Sequence, residues 1–209
     1  MPNWPLVLAT RNRGKVKEFE ELLINFEIEV KSLNDFGPLP PVVEDGKTFD
    51  ENAYKKAYLT AKVLGLPALA DDSGLVVEAL GNIPGVHSAR YAGEGATDEE
   101  NNLKLLAAME GVADRKAKFV CMIIIAVPSG PGLTYEGVCE GEVTHEMKGS
   151  NGFGYDPIFY YPPLSKTFAQ ISLEEKNRVS HRGKAMAELR GEFDKVLIWL
   201  KQRQVEENY

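Results

Sequence analysis

The pattern of apolar and polar positions predicts a chain of interspersed strands and helices. Short apolar runs typical of strands lie at residues 6–10, 28–33, 68–70, 75–80, 118–127, 134–138 and 143–147. Apolar residues at helical spacing follow Gly14, and others recur from Leu189 to Leu200, after which a polar tail is expected to fray. Strict βαβ alternation is absent, so we expect an α/β fold with a mixed sheet.

Three capping-box patterns mark where further helices begin. A Thr or Ser stands three residues before a Glu at residues 48–51, 97–100 and 172–175. The first of these helices is expected to end at Gly65, and the second near Met109. No linker rich in Pro, Gly or Ser separates two halves. We therefore treat residues 1–209 as one domain, in which a second lobe, if present, is the sheet portion after about residue 115.

Composition and charge exclude several classes of protein. With 44% hydrophobic and 26% charged residues, the 209-residue chain is neither disordered nor a membrane bundle, and its longest apolar run, 120–127, is too short to span a bilayer. No secretion signal is recognisable, so we expect a cytoplasmic protein whose Cys121 and Cys139 are buried, reduced thiols. The net charge of −7 argues against a nucleic-acid partner, and any bound anion would need a local cationic site.

A strand-to-helix junction at residues 10–15 is the first candidate site. The N-terminus of a helix offers N–H groups and the positive end of a dipole, which suit a phosphate. Gly14 allows close approach, Lys15 adds a charge, and Thr10 and Asn12 offer neutral hydrogen bonds. The G-x-x-x-x-G-K-[ST] pattern of a P-loop is absent. A capped helix start that faces solvent is an equally good interpretation of these residues alone.

Two adjacent carboxylates, Asp71 and Asp72, form the second candidate. Neighbours in a strand point to opposite faces, so both could serve one site only if the chain turns, which Ser73-Gly74 permits. Carboxylate oxygens suit Mg²⁺, whereas the alternative is an Asx turn with two hydrated side chains. Glu44 could add a third carboxylate and Lys56 a phosphate contact. By themselves, however, these two are better interpreted as a surface turn and a solvated lysine.

Two later segments could bind a nucleotide base. Glycines beside two aromatic residues at 152–156 provide a flat apolar surface for stacking, and Asp156 could accept a hydrogen bond from a ring N–H. Lys176 precedes His181 and Arg182, which open the last helix and could donate to a base carbonyl or a phosphate. A tight bend that fills the core and an ordinary polar helix start are the alternatives.

Taken together, these segments are the parts of a metal-dependent nucleotide phosphate hydrolase. Their order along the chain resembles the order of the motifs in a known family. The chain resembles the inosine triphosphate pyrophosphatases, or XTP/dITP diphosphatases, from Leu6 to about Leu189. The segments that carry the resemblance are LVLATRNRGKVKEFEELL (6–23), TFDENAYKKA (48–57), LADDSGLVVEAL (69–80), PGVHSARYAG (84–93), GFGYDPIF (152–159), KTFAQIS (166–172) and EEKNRVSHRGKA (174–185).

The resemblance implies a fold, a reaction and a set of site residues. It implies an elongated α/β fold whose two lobes flank a nucleotide cleft, Mg²⁺-dependent cleavage of ITP, dITP and XTP to monophosphate and pyrophosphate, and a homodimer. By motif position it implies Asp72 as general base and metal ligand, with Glu44 and Asp71 as further metal ligands. The residues implied to bind the nucleotide are Thr10, Arg11, Asn12, Arg13, Gly14, Lys15, Lys56, Ser73, Phe153, Gly154, Tyr155, Asp156, Lys176, His181 and Arg182.

The residue types agree with this chemistry. Attack of water on the α-phosphorus needs charge neutralisation and a proton acceptor more than a covalent nucleophile, and no triad pattern is found. His181 or Arg182 could donate to a 6-keto oxygen, and the same donor would face the amino group of ATP unpaired, which costs about 1–3 kcal/mol. The alternatives are a pyrophosphatase for other modified bases and a catalytically silent nucleotide-binding protein. A nucleic-acid-binding module is a more distant one because of the net charge.

Overall fold

The protein's structure is a computed structural model that describes residues 4–207. Within these residues lie eight strands and five α-helices. The strands are β1 (Trp4–Leu8), β2 (Ile28–Ser32), β3 (Ala68–Val77), β4 (Ile83–Pro84), β5 (Lys116–Ala126), β6 (Gly132–Val143), β7 (Phe159–Tyr161) and β8 (Lys166–Thr167). The helices are α1 (Arg13–Leu23), α2 (Phe49–Leu64), α3 (Asp98–Ala108), α4 (Leu173–Val179) and α5 (His181–Glu207).

The strands form one mixed sheet. Their order is β2-β1-β3-β5-β6-β7-β8, and β4 pairs with β3 outside this path. Strand β1 runs parallel to β2 and β3, with Leu6 opposite Val30 and Val7 opposite Ala68. Strand β4 is antiparallel to β3, and β7 is antiparallel to β6 and β8. The expected mixed α/β class is therefore confirmed.

The chain divides into two compact units. Unit 1 contains the chain up to Asp72, the segment Met122–Tyr135 and the chain from Ala185 onward, whereas unit 2 contains Ser73–Cys121 and Glu136–Lys184. Strands β3, β5 and β6 and helix α5 each contribute residues to both units.

Small side chains hold helix α2 against the sheet in unit 1. Ala53 and Ala57 pack with Ala70 of β3 and with Ile124 and Ala126 of β5. Helix α2 starts where predicted, because the Thr48 side chain accepts a hydrogen bond from the backbone N–H of Glu51. The close approach that alanines permit places the face of α2 next to Asp71 and Asp72 of β3.

Aromatic side chains dominate the core of unit 2. Phe119 of β5 lies 4.6 Å from Phe159 and 6.0 Å from Phe168, measured between ring centroids. Leu75 and Val77 of β3 belong to the same cluster. This cluster packs against the segments that the sequence associates with base binding.

Three expectations about secondary structure are wrong. Residues 68–70 and 75–80 are not two strands, since β3 runs unbroken from Ala68 to Val77, and the turn that Ser73-Gly74 would permit is not formed. Residues 134–138 and 143–147 are not two strands either, since β6 runs from Gly132 to Val143 through Gly141, where a Cβ would stand 2.5 Å from the Phe159 ring, and residues 144–147 lie outside any strand. The polar tail continues α5 to Glu207, supported by an Arg203–Glu206 ion pair at 2.7 Å.

Two further findings concern the cysteines and the possibility of a membrane-spanning helix. Cys121 and Cys139 are both buried and outside any disulfide, as expected, and burial raises the pKa of the Cys139 thiol to about 11. None of the helices within residues 4–207 combines the length and apolar character needed to cross a membrane.

Candidate functional site

The junction between β1 and α1 is capped by its own side chains. Asn12 is the N-cap of α1, and its side-chain oxygen accepts hydrogen bonds from the backbone N–H groups of Gly14 (2.9 Å) and Lys15 (3.2 Å). The Thr10 hydroxyl in turn accepts from the N–H of Asn12 at 3.1 Å. Two N–H groups expected to bind phosphate are therefore already satisfied, and the Lys15 side chain is what this junction offers to an anion.

The two arginines of the junction lie at the surface. The guanidinium of Arg11 donates to the backbone carbonyl of Leu33 at 2.9 Å, and the Asn34 side chain donates to the carbonyl of Arg11 at 3.3 Å. Arg13 is exposed at the first position of α1. The Arg11 contacts tie the junction to the turn after β2, so this arginine has a structural role besides any contact with a nucleotide.

Asp71 is bound by Lys15. The Lys15 ammonium lies 2.8 Å from each carboxylate oxygen of Asp71, whose side chain is only 3% exposed. The lysine itself is 26% exposed, so its ammonium is accessible to a ligand while it neutralises a buried charge.

Lys56 joins two other carboxylates. Its ammonium lies 3.0 Å from Asp72 and 3.3 Å from Glu44. Burial disfavours the charged amine, but Asp72 and Glu44 outweigh it and raise the pKa of Lys56. Burial also raises the pKa of Asp72, although Lys56 opposes that shift. Asp72 is thus a carboxylate whose environment favours acceptance of a proton.

We call five residues of unit 1 the lysine–carboxylate cluster. Its three carboxylates are those expected to bind the metal ion. No group of three His, Cys, Asp or Glu side chains within residues 4–207 is arranged to hold a metal ion. Because β3 does not turn, Asp71 and Asp72 point to opposite faces, and Asp71 pairs with Lys15. The remaining pair, Glu44 and Asp72, still fits Mg²⁺, which usually takes one or two carboxylates together with waters and substrate phosphates. The cluster comprises Lys15, Glu44, Lys56, Asp71 and Asp72.

Unit 2 holds an exposed aromatic ring over a buried ion pair. The Phe153 side chain is 59% exposed, and the Lys176 ammonium lies 4.3 Å from its ring centroid. Lys176 also forms a buried ion pair with Asp156, and Asp156 accepts a hydrogen bond from the Phe153 N–H at 3.0 Å. One face of the ring therefore rests on a cation while the side chain remains accessible to a base.

Two neighbours of Phe153 that the family resemblance assigns to the nucleotide face inward. Asp156 is 2% exposed and faces Lys176, and burial raises its pKa although Lys176 opposes the shift. Tyr155 is buried, with its hydroxyl donating to the Ser88 carbonyl at 2.8 Å. At Gly152 the φ angle is +76°, and a Cβ would stand 2.0 Å from the Asp156 carboxylate, so this bend requires glycine.

The start of α5 carries the two expected donors. His181 is buried, and its ring stacks on Phe119 with centroids 4.6 Å apart and planes inclined by 14°. The Arg182 guanidinium reaches the Ser73 hydroxyl at 3.5 Å, so two residues assigned to nucleotide binding lie together in unit 2.

Two residues of α3 contact the loop that carries Phe153, and the sequence patterns did not predict them as part of the site. The N–H of Gly154 donates to the Asp98 carboxylate at 2.7 Å, and the Gly154 carbonyl accepts from the Asn102 side chain at 2.8 Å. A signal was present in the sequence, because adjacent amides at Asn101 and Asn102 are unusual in a short helix. Both prove to be buried and hydrogen-bonded.

Comparison with known proteins places this geometry in a family. The model of the Ham1 family matches residues 6–192. The chain belongs to the Ham1 family. Among the relatives, a dITP/XTP pyrophosphatase of Syntrophobacter fumaroxidans is 64% identical and spans 97% of this chain and 88% of that protein. A dITP/XTP pyrophosphatase of Desulfotalea psychrophila is 60% identical, spanning 97% and 91%.

The solved structures agree with the Ham1 assignment. The structure of a HAM1 protein from Coxiella burnetii matches with a TM-score of 0.89 and 46% identity, and it covers 92% of this chain and 99% of that one. The family resemblance drawn from the seven sequence segments is thus confirmed. The metal ion, the homodimer and the individual nucleotide contacts stay predictions.

Proposed function

We propose that this Ham1-family protein hydrolyses ITP, dITP and XTP to the nucleoside monophosphate and pyrophosphate. The observation that carries the proposal is the lysine–carboxylate cluster, which concentrates two ammonium groups in a chain of net charge −7. The names of the Syntrophobacter and Desulfotalea relatives support the same reaction.

The triphosphate is assigned to Lys15 and Lys56. Both ammonium groups already bind carboxylate oxygens at 2.8–3.3 Å, so phosphate oxygens can take the same kind of charge-assisted hydrogen bond. Lys15 stands at the N-terminal end of α1, where the helix dipole also favours an anion. The cluster holds two ammonium groups against three carboxylates, so these lysines would bind the triphosphate together with the positive charge of Mg²⁺.

Asp72 is assigned as the general base. It accepts the proton of the water that attacks the α-phosphorus, and pyrophosphate leaves. Because burial raises the pKa of Asp72, the carboxylate is a stronger base than an exposed aspartate. The neighbouring Lys56 ammonium, at 3.0 Å, keeps the group ionised before the reaction and orients it.

Glu44 and Asp72 are assigned as the protein ligands of Mg²⁺. Their oxygens are hard donors, and both approach the same ammonium, which supports binding of a cation at this position. When bound, Mg²⁺ would neutralise charge on the phosphate oxygens. Asp71 stays with Lys15 and keeps that lysine in place.

The base is assigned to Phe153, His181 and Arg182. It stacks on the exposed ring of Phe153, and Arg182 and His181 supply donors for the 6-keto oxygen of hypoxanthine or xanthine. Adenine presents an amino group instead, so the donor would be left unpaired at a cost of about 1–3 kcal/mol. Base selection thus depends on polar recognition, in which a missing partner is penalised.

The proposal also includes the protein's location, oligomeric state and partners. A cytoplasmic homodimer that binds neither nucleic acid nor membranes is supported by the family resemblance, the net charge of −7 and the short apolar runs.

The position of water attack tests the proposed reaction. We would hydrolyse ITP with Mg²⁺ in ¹⁸O-labelled water and locate the label by mass spectrometry. The proposal predicts label in IMP and none in pyrophosphate, with turnover lost in a chelator. Label in pyrophosphate would mean attack at the β-phosphorus, and label in inorganic phosphate would mean stepwise removal of the γ-phosphate. Either result contradicts the assignment.

A further inference from the structure

Helix α3 holds the backbone of Gly154, the residue that follows Phe153 in its loop. The Gly154 N–H donates to the Asp98 carboxylate at 2.7 Å, and the Gly154 carbonyl accepts from the Asn102 amide at 2.8 Å. Both backbone groups of this residue are therefore satisfied by a single helix. Because they belong to the two successive peptide groups that flank Gly154, the two contacts restrain the backbone directly after Phe153.

The two side chains that hold Gly154 are themselves kept in place by helix α3. Asn102 is 1% exposed, and its amide also donates to the Asp98 carbonyl one helical turn earlier, at 2.8 Å. A reciprocal capping box between Thr97 and Glu100 fixes the first turn of α3, where Asp98 lies. Asp98 is placed at the positive end of the helix dipole, so its charge is stabilised there.

The other side of the loop is held by a different set of contacts. Asp156 accepts from the Phe153 N–H at 3.0 Å and pairs with Lys176, whose ammonium lies beneath the ring at 4.3 Å from the centroid. Lys176 therefore contacts one face of the ring and α3 holds the neighbouring Gly154, yet Phe153 is 59% exposed.

A loop with this sequence needs such contacts. Glycines at 149, 152 and 154 all have φ angles between +61° and +85°, and glycine-rich segments lose much conformational entropy when they are ordered. If the loop were ordered only when a base binds, that entropy would be subtracted from the stacking energy. A ring that is already fixed avoids this cost.

We propose that Asp98 and Asn102 are positioning residues for base recognition, which hold the Gly154 backbone and so keep Phe153 oriented as a stacking surface for the purine. The inference rests on the proposed function, because it takes Phe153 as the surface on which the base stacks. Neither residue touches the base in this scheme; both act through Gly154.

Binding of IMP and of pyrophosphate separates this role from a general one. IMP carries the base, whereas pyrophosphate does not, so calorimetric dissociation constants for the two report on different parts of the site. We expect Asn102→Ala and Asp98→Ala each to raise the Kd of IMP about 3- to 10-fold, through loss of one hydrogen bond to the loop. The Kd of pyrophosphate should stay within about twofold of the wild-type value.

Asn101→Ala is the matched control. Asn101 has the same side chain on the same helix and is 3% exposed. Its side-chain amide, however, forms hydrogen bonds with the backbones of Ala89 and Ala92 and not with the loop that carries Phe153. It should lower the melting temperature about as much as Asn102→Ala without changing the Kd of IMP. Asp98 is exposed, so Asp98→Ala keeps the test possible even if truncation of Asn102 prevents folding.

A double variant tests whether the effect passes through the ring. In the Phe153→Ala background, Asn102→Ala should change the Kd of IMP by less than about twofold, because the stacking surface is already gone. Independent, multiplying effects would overturn the inference, as would an equal rise in the Kd of pyrophosphate.

The outcomes also distinguish the inference from the function on which it rests. If Phe153→Ala weakens IMP binding but the Asp98 and Asn102 variants do not, only the positioning role is wrong. If wild-type protein does not bind IMP, or if Phe153→Ala binds it normally, the assignment of the base to Phe153 fails and the positioning role fails with it.

Discussion

Asp71 and Asp72 provide a matched pair of substitutions that separates binding from catalysis. Each aspartate-to-asparagine change preserves shape and removes one negative charge, and the two residues are adjacent on β3. They differ in their partners, because Asp71 faces Lys15 and Asp72 faces Lys56. If the lysine–carboxylate cluster works as proposed, the two variants should fail in different ways.

The structure sets the expected magnitudes. Asp72→Asn removes the general base, which corresponds to a fall of about 10²- to 10⁴-fold in kcat. Lys56 keeps Glu44 at 3.3 Å, and burial already disfavours the Asp72 charge, so stability should change by less than about 1 kcal/mol. Asp71→Asn breaks a two-oxygen contact at 2.8 Å to a carboxylate that is 3% exposed, at a cost of about 1.5–3 kcal/mol.

The assay combines steady-state kinetics on ITP with thermal unfolding. For a chain of this size, the Asp71→Asn cost corresponds to a fall in Tm of about 3–12 °C. Its KM should rise because Lys15 is no longer held, while kcat falls less than about tenfold. A near-normal kcat in Asp72→Asn, or the same profile of kcat, KM and Tm in both variants, would contradict the separate roles of Asp71 and Asp72.

Three further predictions concern phosphate binding, base selection and pH. Lys15→Ala should weaken ITP binding far more than IMP binding, measured by calorimetry, and equal losses would contradict a role at the β- and γ-phosphates. His181→Ala should narrow the difference in kcat/KM between ITP and ATP, and an unchanged ratio would move specificity elsewhere. Burial raises the pKa of Cys139 from 9.0 to about 11, so its stabilising contribution is complete below pH 9 and is lost as pH rises through 11. Cys139→Ala should therefore show a smaller fall in urea midpoint between pH 9 and 11 than wild type, and parallel curves would contradict the shift.

Local signals explain which parts of the fold were predictable. Thr48, Thr97 and Ser172 each cap a helix through a residue three positions away, so a short window of sequence contains all the necessary information. The continuation of β3 through two aspartates was not predictable in this way. Their lysine partners lie 56 and 16 residues away, and only the folded chain brings those charges together.

The same distinction holds for the candidate site. The sequence indicates which segments carry charged and aromatic side chains, but the direction in which a loop side chain points depends on what packs behind it. Phe153 is exposed, whereas Tyr155 and Asp156 are buried against Ser88 and Lys176. The contact of Asn102 with Gly154 spans 52 residues and has no local signature beyond the paired amides.

The proposed reaction and its base selectivity can be measured together as pyrophosphate release from ITP, XTP, dITP, GTP and ATP, assayed in parallel with Mg²⁺. We expect fast turnover of the first three and rates orders of magnitude lower for GTP and ATP. Equal rates for all five would contradict the base selectivity. No turnover of any, by a folded protein that still binds ITP, would contradict the catalytic role of Asp72 and identify the chain as a silent nucleotide-binding protein.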